Sequence, residues 1–189
     1  MKSFKIVGKY KEESQLDTKE HPEGAVAFKE PKSAKVLGLI GSLISVVILL
    51  VIWLTIRAVH NDFRFNIFGF LLSYVLLVPH EFLHALCFRG DVKMYSALTK
   101  GMLFVHGTED MTKLRYIMMS LCPNICFGFI PLILYFIFPQ LTLLGTLGMM
   151  SVAFGAGDYI NIFNALTQMP KGALTYLSGF HSYWYIPKA

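Results

Sequence analysis

Val36-Leu37-Gly38-Leu39-Ile40-Gly41-Ser42-Leu43-Ile44-Ser45-Val46-Val47-Ile48-Leu49-Leu50-Val51-Ile52-Trp53-Leu54-Thr55-Ile56 runs for 21 residues without a charge. At about 1.5 Å per residue, a helix of that length crosses a hydrocarbon core of about 30 Å. Three further apolar segments follow it. The stretch 65–88 is broken only by His80, Glu81 and His84. From Tyr116 to Gly157 no charge occurs over 42 residues, too many for one span and enough for two. Pro139-Gln140 supplies the break, which predicts spans over 116–138 and 141–167.

The expected fold is therefore an all-α membrane protein with four transmembrane helices and a small cytoplasmic β-hairpin. Residues 1–35 form an N-terminal arm with short alternating pieces around Phe4–Val7 and Ala25–Phe28. Residues 36–170 form the membrane core, and residues 171–189 an interfacial tail rich in aromatics. Between the second and third spans, residues 89–115 alternate in polarity about Thr99-Lys100-Gly101, which predicts the hairpin.

Composition agrees with this division. Of 189 residues, 54% are hydrophobic, sixteen are Phe and nine are Met, values that belong to a membrane protein. The net charge of +5 does not point to nucleic acid, because the lysines are mixed with glutamates and no Arg-rich aromatic surface follows. Lys and Arg number 8 in residues 1–35, 5 in 89–115 and 2 in the tail, against only Arg57 and Arg64 between the first two spans. Positive residues favour the cytoplasmic face, so both termini and the 89–115 loop are expected there, in a multi-pass cell-membrane protein. The first 35 residues lack the apolar core of a secretory leader. The three cysteines, Cys87, Cys122 and Cys126, are odd in number and lie in apolar stretches, so free thiols are expected rather than a disulfide framework.

The chemistry lies in His80-Glu81-Phe82-Leu83-His84. Helical positions i and i+4 share a face, so two imidazoles reach one ion. Glu81, offset around the helix, is placed to hold a water on that ion rather than to ligate it. Zinc lowers the pKa of such a water to about 7, and Glu81 is then the base that takes its proton and passes it to the leaving nitrogen. Such a pentapeptide arises by chance about once per hundred chains of this length. Three ionisable groups within five residues of a span also need a partner that offsets their desolvation, and a divalent metal is one. Pro79 has no N–H to give Val75, so a kink beside the first histidine is expected.

A catalytic zinc keeps three protein ligands and one open position. Asp158 is the only charged residue between Arg115 and Lys171 and is one candidate for the third. A carboxylate paired with a lysine, or protonated at a helix break, is the other reading of it. His106, at the end of the expected hairpin, is the rival ligand. Asn124, after Pro123, is positioned either to donate to a developing oxyanion or to bond between helices.

These residues resemble the zincin peptidase family of membrane proteins and, more distantly, the site-2 protease intramembrane metallopeptidases. The likeness spans about 65–185. It is carried by Val78-Pro79-His80-Glu81-Phe82-Leu83-His84, Cys122-Pro123-Asn124, Gly157-Asp158-Tyr159-Ile160-Asn161 and Pro170-Lys171-Gly172. It implies His80, His84 and Asp158 as zinc ligands, Glu81 as the base and Asn124 as an oxyanion donor. It also implies an edge strand, within 92–106, that takes extended substrate beside the metal. The Leu-Asp-Gly setting typical of the site-2 ligand aspartate is not reproduced around Asp158. The expected activity is zinc-dependent hydrolysis of peptide bonds in membrane or membrane-proximal proteins, in contact with lipid and without nucleic acid. A metal-binding adaptor without turnover is the alternative. A metal transporter would want further ligands along spans one and three, which contain no carboxylate or histidine.

Overall fold

The computed structural model describes residues 3–31, 33–97 and 102–188. Helix α1, Ala34–His60, carries the first apolar run and ends on Asn61. Asn61 has φ 59°, a left-handed stop that asparagine tolerates. The hydroxyls of Ser42, Ser45 and Thr55 return to carbonyls four residues earlier, so these three groups are satisfied within an apolar helix.

The second apolar segment is not one helix. Helices α2, Ile67–Val75, and α3, Leu77–Cys87, meet at a bend of 40°. The break falls where Pro79 cannot donate to Val75. The third segment runs unbroken over Lys113–Ile137 but changes pitch. After α4, Lys113–Pro123, comes a π-helical turn at Asn124–Phe129, and then α5, Ile130–Ile137. The fourth is again a bent pair, α6, Thr142–Phe154, and α7, Ala156–Gln168, at 50° about Gly155. Among the described residues, two helices are thus long and apolar enough to cross a membrane, or up to four spans if each bent pair counts as one.

The expectation of an all-α chain with one hairpin needs correction. The described residues contain seven strands: β1 Phe4–Lys9, β2 Val26–Ala27, β3 Val92–Ala97, β4 Met102–His106, β5 Met111–Thr112, β6 Leu174–Ser178 and β7 His181–Tyr185. They form two sheets, ordered β1-β3-β4 and β2-β7-β6-β5. Strands β3 and β4 pair antiparallel, with Lys93 opposite His106; the turn expected at Thr99–Gly101 lies outside the described residues. The arm contributes β1, parallel to β3, and β2, antiparallel to β7. These pairings join segments more than eighty residues apart, and no local periodicity announces them. The tail is a hairpin, β6–β7, turning at Gly179 with φ 58°.

Arm, loop and tail are therefore woven together at one end of the helices. A core of Phe28, Ala85, Phe88, Val92, Met111, Tyr116, Met119, Ala165, Met169 and Ala173 joins the sheets to α3, α4 and α7. A second core, around Ile56, Leu132, Tyr135 and Val152, binds α1 to the inner helices. Outward, α1, α2 and α5 expose large apolar side chains such as Leu39, Val46, Phe68 and Ile133. All three cysteines are free thiols.

Candidate metal centre

His80 and His84 stand one turn apart on α3, and both are buried. Their Nε2 atoms approach to 3.1 Å. The bend at Gly155 turns the start of α7 toward them and places Asp158 in its first turn, where the helix dipole favours a carboxylate. Asp158 Oδ2 lies 3.2 Å from His80 Nε2, and its Oδ1 lies 3.2 Å from His84 Nε2. A tetrahedral ion with bonds of about 2.0–2.1 Å holds its ligand atoms about 3.3 Å apart. The three pairwise distances match that spacing, and two imidazoles with a carboxylate are donors suited to zinc. By geometry and by chemistry, the residues fit the ion.

Each donor is held from behind. Pro123 has no N–H, so the carbonyl of Met119, four residues earlier, loses its intrahelical donor. His84 Nδ1 donates to that carbonyl at 2.9 Å. The bond sets the tautomer and leaves the Nε2 lone pair for a metal.

Asn124 is fully buried at the start of the π-helical turn. It does not stand free as an oxyanion donor. Its Nδ2 donates to Asp158 Oδ2 at 2.7 Å and to the Ser120 carbonyl at 2.9 Å, using both amide hydrogens. Tyr159 OH donates to its Oδ1 at 3.2 Å, which fixes the amide orientation. Gly155 is required here, because a Cβ at that position would overlap Asn124 Oδ1. Met119 and Tyr159 were not foreseen as supports, whereas Gly155 is one of the small residues before Asp158 that allow close helix approach. For Met119 a signal did exist, since a proline inside a helix exposes the carbonyl one turn back.

Glu81 belongs to the same cluster, with one ligand atom each from His80, Glu81 and His84 lying within 4.8 Å of one another. Its carboxylate accepts a hydrogen bond from the Val105 backbone in β4. Strand β4 is an edge of its sheet. Alternation along the strand points the N–H of Leu103 to the same open side as that of Val105.

His106 follows Val105 but is engaged elsewhere, its Nε2 donating to the Gly179 carbonyl at 2.9 Å. Burial pushes its pKa below the usual imidazole range, with the carbonyl opposing. Asp158, not His106, is the group the fold brings to the two histidines. The far end of α3 is anchored by charge. Arg115 Nη2 donates to the Cys87 carbonyl at 2.8 Å and Nη1 to Glu109. Glu109 Oε2 in turn accepts from the Arg89 and Gly90 N–H groups at 2.6 and 2.8 Å.

A family model described as "Putative zincin peptidase" matches residues 73–174. No curated protein and no solved structure matches the chain.

Proposed function

Because the chain belongs to the zincin peptidase family, we propose that it is a membrane-embedded zinc metalloendopeptidase acting on membrane or membrane-proximal polypeptides. The observation that carries this reading is the meeting of His80 Nε2, His84 Nε2 and the Asp158 carboxylate at 3.1–3.2 Å, with Glu81 beside them. His80, His84 and Asp158 hold the metal. Zinc supplies Lewis acidity there, polarising a peptide carbonyl and making water acidic near pH ~7.

The chain's own groups do the rest. Glu81 takes the proton from the attacking water as the oxygen–carbon bond forms. When the carbon–nitrogen bond breaks, Glu81 returns that proton to the leaving nitrogen. Asn124 and Tyr159 orient Asp158, and the Met119 carbonyl orients His84. The open edge of β4 receives substrate as an added strand, whose backbone bonds bring an extended peptide beside Glu81. A helical substrate segment has to unwind to lie there.

Membrane embedding is supported by the apolar surface of α1, α2 and α5, far more than a soluble monomer exposes. Orientation is supported by the fifteen Lys and Arg of the arm, the loop and the tail. Pairing of β1 with β3 and of β2 with β7 keeps these three segments on one side, which the excess of positive residues assigns to the cytoplasm in this reading.

The test is Glu81→Gln in proteoliposomes containing a transmembrane reporter polypeptide. Zinc stoichiometry is expected to stay at the unaltered level while cleavage falls at least about 100-fold, the scale of a general base. Cleavage at the unaltered rate by the variant would overturn the mechanism.

A further inference from the structure

The two histidines differ in how their second nitrogen is supported. His84 Nδ1 has the Met119 carbonyl, whereas His80 bonds only through Nε2, and its Nδ1 has no protein partner among the described residues. A metal-bound imidazole almost always donates its remaining N–H to a carboxylate, a carbonyl or a water. Beside the His80 ring, at the α2–α3 bend, lies a small recess with room for about one water. Its walls are Leu76, Leu77, Phe127 and Phe154, and its only other polar side chains are Ser73 and Ser151.

Both serines are buried. Ser73 Oγ donates to the Phe70 carbonyl at 2.6 Å, which leaves its lone pairs free to accept. The Ser151 hydroxyl has no protein partner among the described residues, although the other hydroxyls that face apolar surface on α1 bond back to their own helix. The recess is where that hydroxyl can find a partner. Three polar groups around one small space are what a buried water needs, since such waters make about three hydrogen bonds to groups otherwise unsatisfied.

We propose that this recess is a binding site for a single ordered water that accepts from His80 Nδ1 and bridges to Ser73 and Ser151. The water completes the support of His80 as the Met119 carbonyl completes that of His84. Ser73 and Ser151 are positioning residues, acting on the metal through this water and the imidazole. The site lies at the bend between α2 and α3, beside Pro79. The inference rests on the zinc reading of the site.

The measurement is zinc affinity by chelator competition on purified full-length protein in detergent micelles. Three variants, Ser151→Ala, Ser151→Leu and Ser151→Thr, are compared with the unaltered chain. Ser151→Leu fills the recess and is expected to weaken zinc about 10–100-fold, the usual cost of a lost outer partner. Ser151→Ala removes one bridge and is expected to weaken it less, and Ser151→Thr, which keeps the hydroxyl, to restore it. X-ray hydroxyl-radical footprinting gives the independent readout. Phe127 and Phe154 are expected to be labelled by a neighbouring water in the unaltered protein and to lose the label in Ser151→Leu. Unchanged affinity in both Ser151→Leu and Ser151→Ala overturns the water site, as does an absence of label on Phe127 and Phe154 in the unaltered chain. Failure of the unaltered protein to bind zinc would instead overturn the metal reading itself.

Discussion

Asn124 offers the sharpest separation between supporting the metal and stabilising a transition state. Replacing it with Leu keeps its approximate volume and removes three hydrogen bonds, to Asp158 at 2.7 Å, to the Ser120 carbonyl at 2.9 Å and from Tyr159 at 3.2 Å. The bond to the Asp158 carboxylate is charge-assisted, a class worth about 1.5–3 kcal/mol. At about 1.4 kcal/mol per factor of ten, losing it weakens zinc about 10–100-fold, the range measured for other outer-shell partners. Tyr159→Phe, which removes only the neutral bond that orients the amide, is expected to cost well under tenfold. Zinc affinity by chelator competition, with thermal unfolding to verify that each variant is folded, is the assay. An oxyanion donor makes the opposite forecast, with affinity unchanged and turnover down about 100–1,000-fold. Unaltered zinc affinity in a folded Asn124→Leu protein would refute the positioning argument.

Other outcomes follow from the same contacts. Pro123→Ala restores an N–H that competes with His84 Nδ1 for the Met119 carbonyl. Zinc affinity is expected to fall several-fold while the helix itself becomes more regular by circular dichroism. Burial pushes the Glu109 carboxyl up, but the Gly90 N–H, the Arg115 guanidinium and the Arg89 N–H outweigh it and hold the carboxyl below its usual range. A carboxylate whose folded pKa is depressed contributes stability above its unfolded value, about 4.3, and loses it as pH falls through the folded one. Melting temperature is thus expected to drop between pH 6 and acid more steeply in the unaltered chain than in Glu109→Gln, and parallel curves would count against the clamp.

The helical part of this protein was legible because its signals are local. An uncharged run of 21 residues, the i, i+4 spacing of His80 and His84, and the missing N–H of Pro79 each act within a few turns of one helix. Segment identity, the shared face of two imidazoles and a bend beside them follow from backbone geometry without reference to the rest of the chain. The break at Gly155 was harder to see, since a glycine among small residues carries no unique instruction until Asn124 occupies the space where its Cβ would lie.

The contacts between segments belong to another order of information. In the sequence Asp158 and His106 were rival ligands; the 50° turn into α7 brings Asp158 to both imidazoles, while β4 carries His106 to the Gly179 carbonyl. Asn124 was a plausible oxyanion donor until Asp158 of α7 engaged one of its amide hydrogens and the Ser120 carbonyl of α4 the other. Strands β1 and β2 had only weak alternation, and their partners lie across most of the chain. Residue type and spacing determine what a side chain can do. Which group meets which across three helices is set by how their faces pack, a sum of many weak contacts that no single stretch of sequence contains.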